Sequence, residues 1–292
     1  MAAALAAQIG WGAYPVLLRY LQTVSGIPSL SLLAAGNLVV LALVGAFLWR
    51  RIDKKLFRLP IVWLFGFMVV VRGVSNLLAT RFTLAVYAQL IYLMTPFLVA
   101  ILSRVFLRER LPRYTFRALT ISLLGVLLVL SGSFNEIGVA TAVPRQDVLG
   151  IGLAIGSSLA LALYMILTRR AARYHVAGDT LLLVHLFSLF SFSAVASLLL
   201  GENLNQWSTL STQDWLIFAV LAFGVLLGAN VGQIRTIQRL GAPLVSSLMA
   251  IRLVSALVIG ALLLHEQLSS LWQAAGAVIV IVTITWFLRR QM

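Results

Sequence analysis

Cysteine is absent from this 292-residue chain. That excludes a disulfide scaffold and any thiol-ligated metal site. Histidine occurs only three times, at 175, 185 and 265, too far apart in sequence to suggest a metal cluster. Acid is scarce: eight Asp and Glu stand against 22 Lys and Arg. No GxxxxGK[ST] segment is present, so nothing points to a phosphate-cradling loop for ATP. Charge of either sign is sparse, at 10% of residues, whereas soluble domains carry about a quarter. A water-soluble globular domain is therefore excluded.

What is present is apolar, 61% of the chain. A bilayer core about 30 Å thick needs about 20 such residues per helix. That measure gives ten spans, at 3–20, 28–49, 60–80, 82–105, 114–132, 147–169, 179–200, 212–235, 243–264 and 269–288. Turn chemistry separates them at Ser25–Pro28, Leu59-Pro60, Leu111-Pro112, Gly201–Asn203 and Gly241–Pro243. The opening MAAALAAQIGW lacks the basic region of a signal peptide and reads as the first span. Its abrupt start suggests that residues precede Met1.

The net charge of +14 raises nucleic acid as a partner. Its placement argues against that, because the charges punctuate apolar runs rather than line a soluble face. Arg50, Arg51, Lys54, Lys55 and Arg58 follow span two, and Arg104, Arg108, Arg110, Arg113 and Arg117 flank the exit of span four. Arg169, Arg170 and Arg173 follow span six, Arg235 and Arg239 follow span eight, and Arg289 and Arg290 close the chain. These are seventeen of the 22 basic residues, all on one side of an alternating ten-span topology. The positive-inside rule then places both termini in the cytoplasm, in a multi-pass protein of the plasma (cytoplasmic) membrane.

The polar stretch SGSFNEIGVATAVPRQ at 131–146 divides the chain near its middle. Overlaying the halves brings Tyr14 onto Tyr164, Leu17 onto Leu167 and Arg19 onto Arg169. With small loop gaps, Trp63 falls on Trp215 and Glu109 on Glu266. Five is odd, so the second half enters the membrane from the opposite side, the inverted repeat of many secondary transporters. The plainer account is that any two sets of apolar helices align this well. The expected fold is all-α integral membrane, ten transmembrane helices as two inverted five-helix repeats. Its parts are a first repeat at 1–132, an extracytoplasmic linker at 133–146 and a second repeat at 147–292.

Span four and its exit carry Ala79, Thr83, Ala85, Ala88, Leu90, Ile91, Pro96, Leu107, Glu109 and Leu111. The second half ends its ninth span on Leu264, Glu266 and Leu268, and the first span opens IGWGAYPVLLR. Together these resemble the drug/metabolite transporter superfamily, in its ten-helix branch with two EamA repeats, over essentially the whole chain. The resemblance implies a cavity between the halves, lined mostly by spans 1, 3, 4, 6, 8 and 9. It also implies export of amino acids or other metabolites, or exchange of sugar or phosphate compounds. Span nine departs from the pattern, with Leu253 beside Arg252 where a Pro is common.

Two arginines stand out. Arg72 and Arg252 fall near the middle of their spans, where a fixed charge costs about 2.5–3.5 kcal/mol on insertion scales. All eight acids lie at span ends or in loops, so neither arginine has an evident counter-ion at its depth. One reading is that both face the cavity and hold a carboxylate or phosphate of the substrate, which suits a forked cation. The other is that they bond carbonyls or polar neighbours to pin helices, with Asn76 one turn from Arg72 as a partner.

Further candidates follow helical spacing: Gln89, Tyr92 and the hinge Pro96 on span four, and Ser246, Met249, Arg252 and Ser255 on span nine. Span eight offers Asn230 and Gln233, while Trp11, Tyr14 and Tyr164 are candidate walls, or equally packing residues. His185 reads as a hydrogen-bonded core residue rather than a proton relay, and Arg19 and Arg81 as side chains reaching outward to water. Glu109 and Glu266 read as structural.

With no paired carboxylates, nucleophile–base pair or metal cluster, no catalytic residue, metal or cofactor is implied, and an enzyme is disfavoured. A channel is disfavoured by the lack of a repeated ring of pore residues. The expected function is a secondary transporter of a small metabolite, an amino acid or other carboxylate-bearing compound, exporting it by alternating access. The alternatives are an exchanger of phosphate esters or organic anions, or a broad drug exporter. Expected partners are a small-molecule substrate and the lipid bilayer, without nucleic acid, the chain acting as monomer or homodimer.

Overall fold

Turn signals in the sequence become helix boundaries. α1 runs Ala2–Arg19 and widens into a π turn, Tyr20–Val24, before Gly26 and Pro28 turn the chain into α2, Ser29–Arg51. Pro60 opens α3, Pro60–Phe82, at the position where its missing N–H is tolerated. Gly201 and Gly241, both at positive φ, follow helix ends at Leu199 and Leu240. The computed structural model describes residues 2–51, 54–107, 114–130, 135–136, 146–242, 245, 248–267 and 271–290. Leu111-Pro112, Glu109 and Ser246 lie outside the described residues.

Span four is two helices, α4 (Ala85–Tyr92) and α5 (Thr95–Leu107), parted at Leu93–Met94. Pro96 has no N–H to give the Tyr92 carbonyl, which accounts for the break. The chain continues through α6 (Thr115–Leu130), α7 (Asp147–Arg173) and α8 (Gly178–Leu199). Span eight is composite: α9 (Thr212–Ala219), a π stretch (Val220–Ala229) and α10 (Asn230–Leu240). α11 (Ala250–Leu263) and α12 (Leu271–Arg289) complete the set. The one described strand pair joins Asn135–Glu136 of the central linker to Glu266–Gln267 beyond α11.

The protein is an all-helical membrane protein. Among the described residues, six helical segments are long and apolar enough to cross a bilayer: Ser29–Arg50, Pro60–Phe82, Tyr87–Phe106, Asp147–Arg173, Gly178–Leu199 and Thr212–Arg239. Ile251–Leu263 and Ala274–Phe287 are apolar but shorter. Of the ten spans expected from sequence, six are thus clear among the described residues. Large apolar side chains such as Leu43, Phe67, Leu127, Leu198 and Leu262 point outward, where lipid rather than water suits them.

The helices pair in a pattern that exchange of the halves preserves. α3 packs on α7, and α1 on span eight; α1 packs on α11, and α7 on α4–α5. α2 packs on α8 and α6 on α12. At one face, Glu202 accepts hydrogen bonds from the Leu30 and Ser31 amides at the start of α2, at 3.0 and 2.7 Å. Ser25 donates to Asp214 there at 2.6 Å.

Candidate substrate site

Helices α1, α3, α4, α7 and α11 converge on a small buried cavity lined by Trp11, Tyr14, Pro15, Arg72, Asn76, Gln89, Tyr92, Ser157, Leu161 and Arg252. Close approach depends on glycine: a Cβ at Gly12 would lie 2.6 Å from the Arg252 carbonyl oxygen. That brings α1 against α11 and sets Trp11 over the cavity. The Trp11 indole N–H donates to the Ala229 carbonyl at 3.2 Å, which fixes the ring.

Arg72 lies between two aromatic faces. Its guanidinium carbon is 4.9 Å from the Trp11 ring centroid and 4.7 Å from that of Tyr164. Stacking of this kind favours the cation and leaves its N–H edge free to donate. Among the described residues, no oxygen accepts a hydrogen bond from that guanidinium. The Arg72 backbone carbonyl is held by Ser157, whose hydroxyl donates at 3.0 Å. Trp11 and Tyr14 meet edge to face with centroids 5.2 Å apart, completing an aromatic wall.

Arg252 is placed differently. Its Nε donates to Gln8 Oε1 at 2.5 Å and its Nη2 to Gln233 Oε1 at 2.7 Å, so α11 is tied to α1 and α10. Its guanidinium carbon also sits 5.8 Å from the Trp11 centroid. Both cations therefore lie within 6 Å of one indole centroid, Arg72 at 6% exposure and Arg252 at 3%.

Orphaned polar atoms show what the cavity lacks. Both glutamine oxygens face Arg252, so the Gln8 and Gln233 amide nitrogens remain without a partner, as do the Gln89 amide nitrogen and the Tyr92 and Tyr164 hydroxyls. Apart from the Tyr92 hydroxyl, which can also accept, the Asn76 carbonyl oxygen is the one orphan acceptor among the lining residues. Surplus donors and two cations, with no carboxylate in the lining, make a site for an acceptor-rich, negatively charged group. In this conformation the space holds about one water molecule. That is too small for a metabolite.

The structure brings together Trp11, Tyr14, Arg72, Asn76, Gln89, Tyr92 and Arg252 as cavity lining. Tyr164 adjoins it through Arg72, and Gln233 through Arg252. Asn230 lies apart from the cavity, its amide within 3.0 Å of His185 Nε2, which also places His185 in a hydrogen-bonded core as expected. Ser255 does not line the cavity either; its hydroxyl donates to the Ile9 carbonyl at 3.0 Å. Arg19 corrects the expectation of an outward-reaching side chain. It is 1% exposed and donates to the Thr83 and Thr80 carbonyls at 2.8 and 3.3 Å. Gln8, Pro15, Ser157 and Leu161 were not singled out in the sequence. The spacing of Gln8, Trp11 and Pro15 on one helical face was the signal for the first two.

The EamA-like transporter family model matches the chain twice, over residues 1–131 and 148–289. A solved crystal structure, described only as that of a protein, aligns over 98% of this chain and 98% of its own with a TM-score of 0.64. The two share 18% sequence identity, so the likeness is one of fold. None of the curated proteins matches.

Proposed function

This chain belongs to the EamA-like transporter family, and from that premise we propose that it carries a small carboxylate-bearing metabolite, an amino acid first, bound between Arg72 and Arg252. The observation that supports this reading is the Arg72 guanidinium, stacked on two rings with no described oxygen accepting from it. A buried cation prepared in this way is a ready fork for a carboxylate.

The carrier crosses the membrane ten times as two inverted repeats, residues 1–132 and 147–292 about the 133–146 linker. It works by alternating access and exports its cargo through the plasma membrane, with both termini in the cytoplasm. Helix pairing that survives exchange of the halves supports the repeat. Contact between the linker and the segment after α11 fits their placement on the same face. A second reading, exchange of phosphate esters or other organic anions, is favoured by the second cation, Arg252.

The test is a thermal-shift screen of the purified protein against amino acids, organic acids and phosphate esters, because a ligand that binds only the folded state raises its apparent stability. Stabilisation by a carboxylate, lost in Arg72→Gln, supports the first reading, and stabilisation by phosphate esters alone supports the second. No response to any anion, or a response unchanged in Arg72→Gln, overturns both.

A further inference from the structure

Arg19 and Arg169 occupy corresponding places in the two halves of the sequence. Each also does the same thing. Arg19, at the end of α1, donates to the Thr83 carbonyl just beyond α3. Arg169, near the end of α7, donates to the Gln238 carbonyl in the last turn of α10 at 2.9 Å. Thr83 lies 20 residues beyond Trp63 and Gln238 lies 23 beyond Trp215, each at the end of the third span of its half. In both halves, then, the first helix reaches the C-terminal end of the third span with an arginine. Carbonyls there have no partner in the helix and present the negative end of its dipole, so a guanidinium suits them.

The two clasps lie at opposite faces. Thr83 also donates its hydroxyl to Asp147, the first residue of α7, at 2.7 Å. The Arg19 clasp is therefore at the start of α7, whereas Arg169 lies 22 residues further along it, about 33 Å away by helical rise. That separation matches the thickness of a bilayer core, about 30 Å.

Each clasp controls a wall of the cavity. α3 carries Arg72 and Asn76, and α10 carries Gln233 against Arg252. With both clasps made, the space between has no room for a metabolite. Opening from one face requires the end of α3 to leave α1; opening from the other requires the end of α10 to leave α7. We propose that Arg19 and Arg169 are the paired gate residues of this carrier, each closing one face of the membrane. This inference rests on the alternating-access reading but not on the identity of the cargo.

Absence of cysteine makes the test direct. Ser157→Cys introduces one thiol into the cavity lining, and a membrane-impermeant maleimide is applied to sealed vesicles of either orientation. In that background Arg19→Gln raises the labelling rate from the Thr83 face by about tenfold and lowers it from the other. Arg169→Gln does the reverse. Arg19→Lys and Arg169→Lys, which keep a cationic donor of long reach for the carbonyls, restore the parent rates. Equal change from both faces, or no change from either, overturns the proposal. Should Arg19→Gln fail to fold, the half-buried Arg169 decides alone, and unsided labelling there overturns it. No substrate is needed, so failure of the anion screen leaves this result standing, and the reverse.

Discussion

The Arg72 guanidinium lies 4.7 Å from the ring of Tyr164, across the contact between α3 and α7. Phe65 approaches the same ring from α3, with centroids 5.1 Å apart, and His185 meets its edge from α8 at 6.1 Å. A residue of one half thus holds the cation of the other in place.

Arg72→Gln removes the charge and the planar fork together. A hydrogen bond to a charged group contributes about 1.5–3 kcal/mol, so affinity for the anionic cargo falls roughly tenfold to a hundredfold. Arg72→Lys keeps the charge but loses the stacked fork and falls between the two. Calorimetric titration of both variants measures this.

Gln233→Leu strips one acceptor from buried Arg252. An orphaned donor of this kind costs about 1–3 kcal/mol, more for a charged group. A lower melting temperature in detergent, even without ligand, is the expected outcome. An unchanged melting temperature refutes the clamp.

Gly12→Ala places a Cβ 2.6 Å from the Arg252 carbonyl oxygen, so α1 and α11 are forced apart. Overpacking of this kind costs about 1–3 kcal/mol. Gly152→Ala, where the new methyl meets nothing within 4 Å beyond its own helix backbone, leaves stability within about half a kcal/mol. Thermal melts of the two alanine variants check the contrast.

Asn230→Leu leaves His185 without its partner in the core, whereas replacing both residues with leucine removes the polar pair altogether. A double-mutant cycle should therefore show coupling of about 0.5–3 kcal/mol in unfolding free energy. Additive effects would mean that the pair does not act as one.

Glu202→Gln weakens the cap that the carboxylate places on the start of α2. The expected loss is about 0.5–2 kcal/mol, read from denaturation in mixed micelles.

Much of the fold was legible because a bilayer imposes a length on every helix. The break in span four was announced by Pro96. The π stretch at Val220–Ala229 had no such herald: its residues are apolar and lack proline, and it packs against α1. In the site, Arg72 and Arg252 were conspicuous as charges in apolar runs. Their division of labour was not, because stacking and clamping depend on Trp11, Gln8 and Gln233, which reach the arginines from other helices. Ser255 misled for the same reason. Helical spacing puts it on the stripe of Arg252, but the nearby α1 backbone captures its hydroxyl.

Two like charges borne by different halves, both close to one indole, have a kinetic consequence. An unladen carrier must draw both positive groups together to pass through its closed form, against their mutual repulsion in a medium that screens poorly. On the anion reading proposed above, a negatively charged cargo would offset that repulsion. Counterflow in liposomes would then run faster than net efflux.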